Sequence, residues 1–286
     1  MIRHAPGHIE VDELLNELQR RKGLIPVWMD AEERILTWMD MGMYHFYEGF
    51  FRKSISVYGI LKTDIVSFTT SLDVLQDNRV ADDFIYPTGF IFHAGHCRST
   101  ALAKALARSR QNLVLSEATA PGQILKVFPT GKEMVTESNK RLYRNLILAM
   151  CRRRVKTHVN AFIKFTSYNI HFFDLIHSAL PDVPAIFLSR NRDEIVASFR
   201  KRPPGWLKDG DNLEEKVKGF ITKAESIPRD ILIPVDHIAV TPENLPVILS
   251  YFNVSFDEAE LNLMKSQFCY DSKVEFNQKI FGDKAT

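Results

Sequence analysis

From residue 84 onward, short apolar runs alternate with longer amphipathic segments, and this alternation limits the possible folds more than any other feature. A run apolar on both faces, followed by a helical segment and another such run, fits a parallel sheet whose strands are linked by crossover helices. The pattern predicts strands over 89–94, 112–115, 161–165, 185–189 and 231–235. It predicts helices over 100–108, 138–153, 169–180, 193–200 and 242–252. Thr241 can cap the last helix, and Pro242 suits its first turn.

Ahead of this region, Val11, Leu14, Leu15 and Leu18 recur at helical spacing over 10–21, a helix stopped by Gly23 and Pro26. An aromatic-rich stretch follows over 27–60, with Trp28, Trp38, Tyr44, Phe46, Tyr47, Phe50, Phe51 and Tyr58. A helix is predicted over 30–39, with irregular packed structure after it. These aromatics read as core and lid packing before an acceptor surface. With no internal repeat, the chain divides near residue 83 into an N-terminal helical extension, 1–83, and one α/β domain, 84–286.

Composition narrows the function. With 37 Lys and Arg against 35 Asp and Glu, the net charge of the 286 residues is +2. No broad field for nucleic acid or an anionic membrane is expected, so any anion site has to be local. Cys97, Cys151 and Cys269 are odd in number and lack CxxC spacing, which favours a reducing, cytoplasmic setting over a disulfide framework or structural zinc. The histidines are dispersed and no HExxH pattern occurs, so no metal is expected. The longest uncharged run, 84–97, has 14 residues and includes Pro, Gly and His, against the roughly 20 apolar residues of a spanning helix. The N-terminus lacks the apolar core of a signal peptide.

Two segments carry chemistry. In the first, a strand runs into a turn at Gly95 and then a helix. The N–H groups at the start of that helix, with His96, Arg98, Ser99 and Thr100, can converge on a phosphate-like anion. A plain strand-to-helix connection explains these residues equally well. The Walker lysine is missing, which argues against an ATP or GTP enzyme. In the second segment a strand ends on Arg190 and the next helix carries Ser198. A guanidinium at the carboxyl end of a parallel strand can clamp a phosphate, although by itself Arg190 reads first as an ion pair with Asp193 or Glu194.

Together the segments resemble the sulfotransferases that use 3′-phosphoadenosine 5′-phosphosulfate (PAPS), over residues 84–286. The resemblance implies a three-layer α/β/α fold with a central, mainly parallel sheet of the P-loop NTPase type. It implies that the turn Gly95, His96, Cys97, Arg98, Ser99 and Thr100 holds the 5′-phosphosulfate, and that Arg190 and Ser198 hold the 3′-phosphate. The turn departs from the common G-x-P-[KR]-S-G-T-T form, so either His96 or Arg98 takes the place of its basic residue. Lys164 matches a family lysine that stabilises charge on the leaving phosphate. Thr166 stands where small-molecule members carry their histidine base, and Glu117 matches the glutamate base of other branches. The tail offers Lys273 as a further contact with the 3′-phosphate.

The implied reaction passes a sulfuryl group to a hydroxyl or amine of a small-molecule or saccharide acceptor, releasing 3′,5′-adenosine bisphosphate (PAP). The loops over 27–60 and 203–218 would select the acceptor. Two other readings stay open. One is a small-molecule kinase with an atypical phosphate loop. The other is a non-enzymatic nucleotide or RNA binder using Arg141, Arg144, Arg152, Arg153, Arg154 and Lys156, a run that otherwise reads as a solvated helix face.

Overall fold

The computed structural model describes residues 7–269 except 130, 205, 206 and 209, and the side chain of 132. In chain order the elements begin with β1 (Gly7–His8), α1 (Val11–Arg20), β2 (Leu24–Asp30), β3 (Ile35–Asp40), α2 (Phe51–Leu61) and β4 (Ser67–Ser71). The middle of the chain forms β5 (Gly89–His93), α3 (Ser99–Leu106), β6 (Asn112–Ser116), α4 (Thr119–Ile124), α5 (Glu137–Met150) and β7 (Asn160–Lys164). The remainder comprises α6 (Phe173–Ala179), β8 (Ala185–Leu188), α7 (Arg192–Lys201), α8 (Leu213–Glu225), β9 (Leu232–Val235), α9 (Leu245–Ser250) and α10 (Glu258–Ser266).

Strands β5 to β9 form one parallel sheet in the order β6-β7-β5-β8-β9. Successive side chains of a strand point to opposite faces, and both faces here are apolar. Phe90 and Phe92 of β5 join a core with residues of α5, α6, α7 and α8, whereas Ile91 packs with residues of α3, α9 and α10. The same alternation sends Leu113, Leu115, Ala161 and Ile163 to the first core and Val114, Phe162 and Ile186 to the second. The result is a three-layer α/β/α sandwich with β5 at its centre.

All five predicted strands are present, and the helices need modest revision. The 169–180 helix is a 3-10 segment, Ser167–Phe172, leading into α6, with Thr166 and Asn169 forming a capping box at its start. The 242–252 helix is shortened to α9, although Thr241 does accept a hydrogen bond from the N–H of Asn244.

The N-terminal region departs from the helical extension predicted. The 30–39 helix is a hairpin, β2 and β3, in a four-stranded sheet ordered β1-β4-β3-β2. Asp30 accepts hydrogen bonds from the N–H groups of Glu32 and Glu33, which reverses the chain where a helix was expected. Trp38 is then buried and donates its indole N–H to Thr70 on β4. This sheet packs through β2 on α4 and α5.

The basic run is also corrected. Arg152 and Arg154 are buried at this junction. Arg152 donates to the Leu18 carbonyl, and Arg154 donates to the carbonyls of Gly42 and Tyr44 with its guanidinium 4.3 Å from the Phe46 ring centre. These two cations tie the segment ahead of β7 to α1 and to the chain after β3, whereas Arg141, Arg153 and Lys156 of the same run are exposed.

Candidate active site at the carboxyl edge of the parallel sheet

Open α/β sheets bind ligands in the crevice beyond the carboxyl ends of their strands. In this protein β5 ends on His93, β6 on Ser116 followed by Glu117, and β7 on Lys164. The central sheet order therefore brings three separate segments to one place.

The turn from β5 into α3 is tight. The N–H of Ala94 bonds to the Leu188 carbonyl of β8, and Gly95 follows at φ +98°. A Cβ on Gly95 would lie 2.2 Å from Cζ of Phe199, so only glycine fits both the conformation and the space. His96 and Arg98 also have positive φ, +46° and +65°. Non-glycine residues rarely take that conformation, and it clusters where a backbone is held for function. It presents the start of α3, whose first N–H groups have no helical acceptor, at the sheet edge.

The side chains of the turn separate. Nδ1 of His96 lies 2.7 Å from Oγ of Ser198 on α7. Arg98 is exposed, its guanidinium 5.7 Å from the Phe268 ring centre. Cys97 is buried with its thiol toward the Leu188 carbonyl, Ser99 is buried, and Thr100 is half-buried.

Beside the turn lies a buried charged cluster. The Lys164 side chain is fully buried, its ammonium paired with Glu117 Oε1 and 5.5 Å from the Phe50 ring centre. Glu117 adopts φ +49° and its N–H bonds to the Lys164 carbonyl, so the backbone at the end of the β6–β7 ladder aims its carboxylate at the ammonium. Burial opposes the charge on Glu117, but Lys164 and His93 outweigh it and hold the carboxyl near pKa 2.

His93 is buried with Nδ1 3.2 Å from Ser167 Oγ and Nε2 3.6 Å from Glu117 Oε1. Burial and Lys164 oppose charge on this imidazole, while Cys97 and Glu117 favour it, and the balance raises its pKa.

Arg190 follows β8 at the same edge and takes the ion-pair geometry. Its guanidinium bonds to the Glu194 carbonyl and lies 3.5 Å from the Glu194 carboxylate. Arg190, Glu194 and Ser198 are spaced four apart, a stripe with the carboxylate between the two groups expected to share a phosphate.

No family profile and no curated protein matches this chain. One solved structure similar to it is sulfotransferase STF1 from Mycobacterium tuberculosis H37Rv. The identity is 12%, the TM-score is 0.48, and the match covers 98% of this chain and 100% of that one.

Of the residues singled out by sequence, the structure joins Lys164 to Glu117 and His96 to Ser198. It leaves Arg98 apart from both pairs and holds Arg190 against Glu194. Lys273 lies outside the described residues. Sequence reasoning missed His93 and Ser167, and named Phe50 only among the packing aromatics. The available signal for His93 was its type, an imidazole ending an otherwise apolar strand.

Among the described residues, no group of three or more His, Cys, Asp or Glu is arranged to hold a metal. Among the same residues, no helix is long and apolar enough to cross a membrane.

Proposed function

We propose that this protein transfers a sulfuryl group from PAPS to a hydroxyl or amine of a small-molecule or saccharide acceptor. The observation that carries the reading is the Lys164–Glu117 pair, a buried cation and a carboxylate beside the tight turn from β5 into α3.

In the proposed step an acceptor hydroxyl gives its proton to Glu117 as its oxygen bonds to sulfur. The bond from sulfur to the bridging oxygen breaks, and PAP leaves with the electron pair. Lys164, His96 and the first N–H groups of α3 would stabilise charge growing on that oxygen. A carboxylate at pKa near 2 is a weak base while Lys164 holds it. Lys164 therefore has to turn from Glu117 to the leaving oxygen, and that exchange makes Glu117 more basic as the reaction needs it.

Arg190 and Ser198 would take the 3′-phosphate. The exposed Arg190–Glu194 pair is worth at most about 1 kcal/mol, which a phosphate can displace.

The test is ligand-induced stabilisation. PAP at a hundred times its Kd should add about 2.7 kcal/mol, raising Tm by roughly 4–5 °C for a chain of this size. ATP with magnesium should not. Stabilisation by ATP-magnesium without PAP would replace this reading with a kinase, and steeply salt-dependent RNA binding without PAP would replace it with a nucleic-acid binder.

A further inference from the structure

The exchange just described leaves Glu117 without the cation that orients it, and the structure contains one group placed to take over. His93 Nε2 is buried, makes no hydrogen bond, and lies 3.6 Å from the same Oε1 that Lys164 holds. The other ring nitrogen is braced by Ser167 Oγ at 3.2 Å. When the Ser167 hydroxyl donates to Nδ1, the imidazole proton resides on Nε2 and points toward the carboxylate. An unsatisfied buried donor this close to an acceptor gains a hydrogen bond by a shift of less than an ångström. With Lys164 paired to Oε1, His93 Nε2 stands at 3.6 Å, outside hydrogen-bond distance.

We propose that His93 is a positioning residue for Glu117, its Nε2–H closing onto Oε1 when Lys164 turns to the departing oxygen, so that Oε2 keeps its aim at the acceptor. This rests on the sulfuryl-transfer reading and extends it. The bonds balance as in that reading. The acceptor O–H proton ends on Glu117 and leaves to solvent after PAP departs, and His93 keeps its own proton throughout. A single N–H donor suits the task, since it fixes the orientation of Oε1 and leaves Oε2 to accept the proton. The groups facing the ring are Glu117 from the end of β6, Lys164 from β7, Cys97 from the turn and Ser167 from the following 3-10 segment.

The test compares His93→Leu, which removes the donor, with His93→Gln, which keeps an N–H near the place of Nε2. Turnover of PAPS with an active acceptor is measured beside the PAP melting shift. His93→Leu should lose about a hundredfold in kcat with the PAP shift and the KM for PAPS unchanged, and His93→Gln should recover most of that loss. Parental kcat in His93→Leu, or equal losses in both variants, would overturn the role.

A second measurement needs neither turnover nor folding of these variants: the His93 imidazole is titrated by NMR in the parent and in Glu117→Gln. A fall in its pKa on the order of one unit supports the contact, and an unchanged value rejects it. Absence of any PAP shift in the parent would reject the sulfuryl-transfer reading, while the titration still decides the His93–Glu117 link.

Discussion

Glu117 shows how much one backbone angle decides. Sequence places a carboxylate just past β6, where a solvated loop residue is the ordinary outcome. The positive φ instead aims it at a buried ammonium. Its pKa, near 2 in the fold against an ordinary 4.5, makes the unfolded chain bind more protons than the folded one between those values. Stability from this group is therefore full above about pH 4.5 and is lost as pH falls toward 2. Glu117→Gln should flatten that acid limb in urea titrations run across the range. At the other end of the site, Glu194→Gln should free Arg190 and tighten PAP binding by up to about fivefold, since an exposed ion pair is worth at most about 1 kcal/mol. Isothermal titration with PAP measures it, and weaker binding would assign Glu194 a supporting part.

The β5–turn–α3 unit is the element on which the site depends. Its strand and helix are legible because an apolar run and a helical face differ in period. The paths of His96 and Arg98 are not, since only the packing of α7 and the C-terminal helices against the turn sends one imidazole to Ser198 and one guanidinium to Phe268. Gly95→Ala should cost about 2–4 kcal/mol, from a disallowed φ and a methyl driven into Phe199, as read by denaturant unfolding. The β2–β3 hairpin is the opposite case. Its charged Ala31-Glu32-Glu33-Arg34 stretch has local helix character, and pairing of β3 with β4 overrides it.

The two sheets are joined by a polar seam as well as an apolar core. His45, in the segment after β3, places Nε2 2.8 Å from the Ala107 carbonyl and Nδ1 3.0 Å from His158 Nε2, just ahead of β7. Burial, then His45 and Arg154, depress the His158 pKa to about 3. The unfolded chain protonates near 6.5, so stability from this pair is full above that pH and is lost as pH falls toward 3. The slope reaches at most about 1.4 kcal/mol per pH unit. His158→Gln should flatten the Tm profile between pH 7 and 5, a window in which Glu117 contributes little. The burial of Arg152 and Arg154 in this seam is a property of the assembled molecule. In the sequence they stand among charges that look solvated.

By itself the sequence determined the parallel sheet, the turn at Gly95 and the residue types at the strand ends. These depend on short-range periodicity and on conformations that few residues adopt. Tertiary structure alone decided which of those residues meet. Strand order in a parallel sheet is set by crossovers many residues long, and it is the placing of β7 between β5 and β6 that draws His93, Lys164 and Glu117 into one cluster.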